Sequence, residues 1–436
     1  MTRGSIGLDF GTTNSVVAFG RDGGSELLEF DGPDGRAAVF RSALCFWHDD
    51  TVKGGLASDA GPWAIKEYLE YPTDSRFLQS FKTVAASASF EHATIFGKRY
   101  RFEDIGRLFL ERMTGHSGGR LDNRPPRVVV GRPVEYAGSR PSETLARERY
   151  DAMFGGFGAE ILYVYEPLGA AYSYAARLTE PATILVADFG GGTSDFSVVR
   201  IGATGDTPRC VPLAHAGVGI AGDRLDYRIL DRLVLPMLGK GSEYRSFDKL
   251  LEIPRSWFND FADWSRLALM RNPKTLSELE RLRRAAVDGD AIARMIAVIG
   301  ELGYPLYEAV GQTKRALSSA QAAPFRFEGG DLKIEAEVTR AAFEAWIAED
   351  IAQIEKAVDR ALDAATIDAV GIDRVFLTGG TSLVPRIRRV FAERFGEDKL
   401  ESGGELTSIA HGLALIGLED DAAAWATKAA RGDPTR

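Results

Sequence analysis

Residues 184–200 read ILVADFGGGTSDFSVVR, and the fold is decided by how they are read. An apolar run, Ile184 to Ala187, leads into Asp188. The consecutive glycines Gly190, Gly191 and Gly192 follow with Thr193, Ser194 and Asp195, and a second strand-like run begins at Phe196. The pattern predicts a β-hairpin with a functional turn. Glycines in succession give up side-chain packing and cost backbone entropy, and a purely structural turn rarely needs more than one or two. What they offer is bare backbone N–H groups that an anion can approach closely. Asp188 stands beside that anion hole. A carboxylate there repels bound phosphate by about 4 kcal/mol at roughly 4 Å and an effective dielectric of about 20. A divalent cation between the two removes the conflict.

The same device occurs near the N-terminus. Ile6 to Phe10 reads as a strand carrying Asp9, Gly11, Thr12, Thr13 and Asn14 as its turn, and Val16 to Phe19 as the returning strand. DFGTT and DFGGGT are thus two copies of one phosphate-gripping hairpin. For either copy alone a turn made only for structure stays open. For the pair, with both aspartates in the same place, the phosphate reading is the better one.

At 436 residues the chain can bury a large core and divide into about two to four domains. Its 45% hydrophobic and 26% charged residues are ordinary for a globular protein, and a net charge of −9 disfavours nucleic acid or an anionic membrane as partner. MTRGSIGLDF enters a strand with no room for a signal-peptide core, and no run approaches about 18 apolar residues, so a cytoplasmic protein is expected. Cys45 and Cys210 stand far apart without nearby ligand partners and read as ordinary thiols.

Outward from the hairpins, SELLEF and AAVFRSALCFW are strand-like, and residues 60–115 read as mostly helical, with Lys82 set among Phe77, Leu78 and Phe81. RVVVGRPVEY (127–136) is a buried strand, followed by a helix over about 140–154. In ILYVYEPLGAAYSYAARL (161–178) a strand ends at Glu166, and Pro167 opens a helix with a small face of Gly169, Ala170, Ala171, Ala175 and Ala176 that lets a second helix approach closely. Glu166 is either a site residue at that junction or an acid favouring the helix dipole. Gly217, Gly219 and Gly222 spell G-x-G-x-x-G, but no strand ending in an acid follows about 20 residues on, which argues against a dinucleotide fold. A glycine loop at a helix N-terminus still suits phosphate or ribose.

Residues 243–320 read as a helical block in which Leu276, Leu279 and Leu282 form a core stripe and Thr275 and Glu278 have capping-box spacing. FRFEGGDLKIEAEV (325–338) reads as a hairpin, Arg340 to Ala364 as one long helix, and RVFLTGGTSLVPRIRRVFAERF (374–395) as a further strand, glycine turn and helix at Gly379, Gly380 and Thr381. A last helix is expected at about 407–417, then a polar tail.

Taken together, the two hairpins, EPLGAAYSYA, GIAGDRLD, KRALSS and LTGGTSLVP resemble the nucleotide-binding module of actin, sugar kinases and heat-shock ATPases, with the DnaK-type heat-shock ATPase domain the nearest match. The resemblance spans about residues 5–417. It implies an α/β, two-lobed actin-like fold with a duplicated ribonuclease H-like motif. Lobe I would take residues 1–182 with an outer subdomain at about 36–120. Lobe II would take 183–404 with an enlarged helical subdomain at about 231–324. A helix at 405–420 would return to lobe I, and 421–436 would be a tail.

The resemblance also implies ATP or ADP with Mg2+. Asp9 and Asp188 would hold the metal through water, with Asp195 beside them. Gly11, Thr12, Thr13, Asn14 and Gly190, Gly191, Gly192 and Thr193 would grip the phosphates, and Lys82 and Glu166 would orient water and steady the γ-phosphate, with Asp188 and Thr193 sharing in catalysis. Gly219, Gly222, Asp223, Lys314, Arg315, Ser318, Gly379, Gly380 and Thr381 fall where the family contacts the rest of the nucleotide. Leu383 departs from the family's adenine-stacking arginine, and Gly311 from its ribose-binding glutamate. The helical block is lengthened, and fewer than about 20 residues follow the last helix, so no peptide-binding domain is expected. The short YegD-like chaperones resemble the chain most. A slow ATP-hydrolysing chaperone-type switch is therefore expected, with client and co-chaperone open. A small-molecule kinase on the same scaffold, or a nucleotide-switched filament protein, is the alternative.

Overall fold

Both hairpins form at the expected residues. In the computed structural model, which describes residues 4–427 apart from 139, 159, 179, 203–209, 402 and 405, strand β1 (Gly4–Phe10) turns into β2 (Asn14–Arg21). Strand β3 (Gly24–Leu27) completes an antiparallel meander. Strands β4 (Arg127–Arg132) and β5 (Glu160–Tyr165) then add in parallel on the other side of β1. The glycine-rich hairpin is built from β6 (Ala182–Phe189) and β7 (Ser194–Ile201), and β8 (Cys210–Val218) completes a second meander. Strands β9 (Arg374–Thr378) and β10 (Leu400–Glu401) add in parallel beside β6.

The two sheets therefore run β3-β2-β1-β4-β5 and β8-β7-β6-β9-β10, one plan used twice. Their hairpins also share a register. Phe10 pairs with Ser15 around Gly11 to Asn14, and Phe189 pairs with Ser194 around Gly190 to Thr193. One step back, Asp9 faces Val16 while Asp188 faces Asp195. The second turn thus carries one carboxylate more than the first.

Five helices position the site: α1 (Glu166–Ala175), α2 (Gly222–Leu233), α3 (Gly303–Ser319), α4 (Ala348–Ala365) and α5 (Ser408–Ile416). The small face expected on α1 receives α5. A Cβ on Gly412 would lie 1.7 Å from the Gly169 carbonyl oxygen, so the two backbones touch. Helix α5 also lies on the first sheet, where Ser5 Oγ donates to the Ala414 carbonyl at 2.5 Å. Val129, Leu168, Ile184, Phe376 and Leu413 form one buried cluster that draws on both sheets and both helices. Among the described residues no helix is long and apolar enough to cross a membrane.

Four local expectations need correction. Residues 60–115 do contain helices at Gly61–Glu70 and Phe102–Gly115, but Ser75–Gln79 is a strand beside Ala43–His48, and Ala93–Ile95 pairs with Lys98–Tyr100. Phe77 and Leu78 enter different hydrophobic clusters, so both faces of that strand are covered and no alternation shows in its sequence. The block at 243–320 opens with a hairpin, Glu243–Ser246 with Lys249–Glu252, before its helices. The helix Pro273–Ala285 is capped by Asn272, whose side chain accepts from the Thr275 N–H at 3.0 Å. Thr275 is thus already inside the first turn, because Pro273 takes the first helical position. Leu279 and Leu282 are buried, as the core stripe required. The long helix at 340–364 is two, Arg340–Trp346 and α4, interrupted at Ile347. Of the tail at 421–436, Trp425 packs against Tyr172, and residues 428–436 lie outside the described residues.

Candidate functional site

The two turns meet face to face. A Cβ on Gly191 would lie 2.5 Å from Thr13 Oγ1 and 3.2 Å from Thr12 Cβ, and one on Gly192 would lie 3.3 Å from Thr12 Oγ1. A side chain at either glycine would press on these threonines. The second turn is braced by its own backbone, Gly190 N–H donating to Thr193 O at 3.0 Å. From the start of α2, the N–H groups of Gly222 and Asp223 reach Gly190 O (3.2 Å) and Gly191 O (2.8 Å), and Thr381 Oγ1 reaches Gly190 O at 3.0 Å. Gly379, with φ of +79°, passes so close to Phe189 that an added Cβ would lie 2.1 Å from its carbonyl oxygen. Lys314 on α3 donates to Gly222 O at 3.1 Å and pairs with Asp226 at 2.6 Å.

Behind the turns, acids outnumber bases. Lys82 Nζ meets Glu166 Oε1 at 2.5 Å, with side chains only 8% and 7% exposed. The ammonium lies 5.9 Å from the centre of the Phe10 ring. Burial alone would draw the Lys82 pKa down, but Glu166 and Asp9 outweigh it and hold it above its ordinary value. Burial, reinforced by Glu166, pushes the Asp9 carboxyl up to about 7 against the opposing pull of Lys82. Asp188 is raised well above the usual carboxylate range by burial, then by Glu166, Asp9 and Asp195. Asp195 is raised to about 7 by burial and Glu166, although its Oδ1 accepts from the N–H groups of Val134 (2.8 Å) and Glu135 (3.2 Å). Its Oδ2 is buried without a partner.

An orphaned carboxylate oxygen among mutually repelling acids fits a divalent cation. Among the described residues no group of three or more potential metal ligands converges, and Asp9, Asp188 and Asp195 are the carboxylates nearest the turns that could hold such an ion.

The remaining expected residues divide. Asp223 is buried at the head of α2, its Oδ2 unpartnered and its pKa well raised by burial and Asp226. Gly219 faces the 137–138 backbone, and Gly380 lies beside Leu406. Arg315 is largely exposed and lies 3.7 Å from Glu308, while Ser318 Oγ turns back to Lys314 O at 3.4 Å. Leu383 is exposed, and Gly311 backs onto Arg315 Nη1. Sequence reasoning missed Arg41, whose guanidinium joins Asn14 Oδ1 (3.2 Å) to the Tyr307 hydroxyl (3.1 Å) across the site. It also missed Thr83, close against Gly192. Arg41 and Tyr307 stand far apart in the chain, and neither sits in a recognisable motif.

Residues 304–418 match the family model described as Hsp70 protein. Over 432 residues the chain is 24% identical to the chaperone protein DnaK of Thermus thermophilus, an overlap of 94% of this chain and 60% of that protein. With the chaperone protein DnaK of Deinococcus radiodurans it is 23% identical over 428 residues, 94% of this chain and 59% of the relative. The chain thus spans about three fifths of the length of the curated relatives it matches. The chain is thus similar to the Hsp70 family model over residues 304–418 and, at 23–24% identity, to these two DnaK chaperones along most of its own length.

Proposed function

We propose that the chain is a heat-shock-type ATPase that binds ATP or ADP with Mg2+ between the two turns, in a cleft between lobes at 1–182 and 183–404, and hydrolyses ATP slowly. The observation that carries this reading is the buried Lys82–Glu166 pair set among Asp9, Asp188 and Asp195 behind two facing phosphate-type turns. Thr12, Thr13 and the turn Gly190 to Thr193 hold the β- and γ-phosphates by backbone N–H and hydroxyl donors. Lys82 neutralises charge on the transferring phosphoryl group, and Glu166 accepts a hydrogen bond from the attacking water and orients it. As the water oxygen bonds to the γ-phosphorus, the bond to the β–γ bridging oxygen breaks. ADP leaves with that electron pair, and the water's two protons leave with the phosphate as dihydrogen phosphate, which gives one up to solvent at neutral pH. Magnesium, when bound through its waters to Asp9, Asp188 and Asp195, supplies further neutralisation of phosphate charge.

Gly222, Asp223, Lys314, Arg315, Ser318 and Gly379 to Thr381 hold the remainder of the nucleotide. Leu383 and Gly311 replace two of the family's base and ribose contacts, so affinity and base preference are the properties to measure first. The output is a chaperone-type switch of the short YegD-like kind, acting on a protein client or co-chaperone. Calorimetric titration with ATP, ADP and GTP in magnesium, and single-turnover hydrolysis by Glu166→Ala and Lys82→Ala, test the reading. Binding with loss of turnover in both variants is expected. No binding of any nucleotide overturns the function, and wild-type rates in both variants overturn the catalytic roles.

A further inference from the structure

Away from the turns, a small, partly open pocket separates the strand Ser75–Gln79 from the helix Trp264–Met270 and the start of α3. Its walls mix apolar and polar side chains, Phe77, Trp264, Tyr304 and Gln79 among them, and two guanidinium groups line it, Arg76 and Arg271. Arg76 is 8% exposed. One of its terminal nitrogens donates to the Ala268 carbonyl, and its Nε is buried without a hydrogen-bond partner. Arg271 donates to Pro72 O (3.3 Å), Thr73 O (3.0 Å) and Ser75 O (3.0 Å), which engages three of its five N–H groups. Among the described residues neither arginine has a carboxylate within ion-pair distance. Burial, and after it the like charge of Arg271, draws the Arg76 pKa down to about 10.

Two like charges lining one pocket, Arg76 buried and Arg271 half-buried, and served only by carbonyl dipoles, are an arrangement that an anion would complete. We propose that this pocket binds a small free oxyanion of the inorganic phosphate or sulfate class on Arg76 and Arg271. Its volume of about 40 Å³ is roughly three times what a single water needs, so a small polyatomic ion fits and a nucleotide does not. The planar guanidinium matches an oxyanion edge. No residue of the two glycine turns lines the pocket, and Gln79 and Tyr304 stand between it and the space that reaches Thr12 and Thr13, so the test must separate the two. Arg76 reaches from the strand to Ala268 and Arg271 reaches from the helix to the 72–75 loop, so a bound oxyanion ties the two segments together at the point where they already exchange hydrogen bonds.

The test is calorimetric titration of the whole chain with inorganic phosphate and with sulfate at constant ionic strength set by chloride. The variants are Arg76→Gln and Gly191→Val, the latter to crowd the glycine turn. One saturable phosphate site per chain is expected, shared with sulfate, at least tenfold weaker in Arg76→Gln and retained in Gly191→Val. Absence of saturable binding in the wild type, displacement by equimolar chloride, survival of binding in Arg76→Gln, or its loss in Gly191→Val would each overturn the proposal. Should Arg76→Gln fail to fold, Arg76→Lys keeps the charge and removes the Nε donor. A tenfold weaker site is then expected, and unchanged affinity refutes the assignment.

Discussion

Gly412→Ala is the smallest change that should disturb both stability and the site. The added Cβ would lie 1.7 Å from Gly169 O, 2.6 Å from Gly169 C and 2.9 Å from Ser173 N. All three are main-chain atoms, so no side chain can rotate away. Carbon and oxygen sit comfortably at about 3.3–3.6 Å, so α1 and α5 must part by roughly 1.5–2 Å. Overpacking of this kind costs about 1–3 kcal/mol, and a clash with backbone on both sides belongs at the upper end. Glu166 is the first residue of the displaced helix and loses its placement against Lys82. A misplacement of about 1 Å can lower a rate on the order of a hundredfold. Urea unfolding should show a lower midpoint at unchanged slope, and single-turnover ATP hydrolysis a matching loss. Gly115→Ala, whose Cβ would meet nothing within 4 Å, is the control. Stability within about 0.5 kcal/mol of wild type for Gly412→Ala would refute the packing argument, because that is the scatter of neutral surface changes.

Lys82→Met should lose roughly 3–5 kcal/mol of unfolding free energy, since it leaves buried Glu166 uncompensated. Glu166→Gln should lose less, since Asp9 stays beside Lys82 and the repulsion of Glu166 on Asp9, Asp188 and Asp195 is relieved. The double variant should lose less than the sum by about 1.5–3 kcal/mol, and additivity in denaturant unfolding would contradict the pair. His215, bonded through Nδ1 to Ser197 Oγ at 2.6 Å, has its pKa drawn down to about 4 by burial. The unfolded chain then takes up the proton first, so its contribution is whole above about pH 6.5 and is lost as pH falls toward 4, by up to about 3 kcal/mol. His215→Gln should flatten the stability profile in that window, and an unchanged slope would count against the buried imidazole. Asn272→Ala should cost about 1 kcal/mol by removing a helix cap, whereas Thr275→Ala should cost little, as thermal unfolding of the two would show.

The duplicated hairpins were legible because their chemistry is local: turn glycines, flanking apolar runs and one aspartate lie within about ten residues. The small face of α1 was legible too, and α5 occupies it. The strand at Ser75–Gln79 was hidden because Phe77 and Leu78 are buried on opposite faces. The Asn272 cap was hidden behind a better-known spacing three residues later. Glu166 could be placed at a strand-to-helix junction, but its pairing with Lys82 joins residues 84 positions apart, and only the folded chain brings them within 2.5 Å. Arg41 and Tyr307 are the extreme case, since their meeting depends on how the helical block lies against the first sheet.

The contact of Ser5 with Ala414 spans 409 positions, and α5 rests on β1 and against α1. On the ribosome, the N-terminal sheet therefore emerges several hundred residues before the helix that covers it. Domains commonly fold as they are synthesised, but this sheet must wait for α5. It stays uncovered on one face while the intervening residues are made, a long interval in which a nascent chain needs shielding from aggregation. Loss of residues beyond about 407 should leave an insoluble N-terminal half rather than a smaller folded unit.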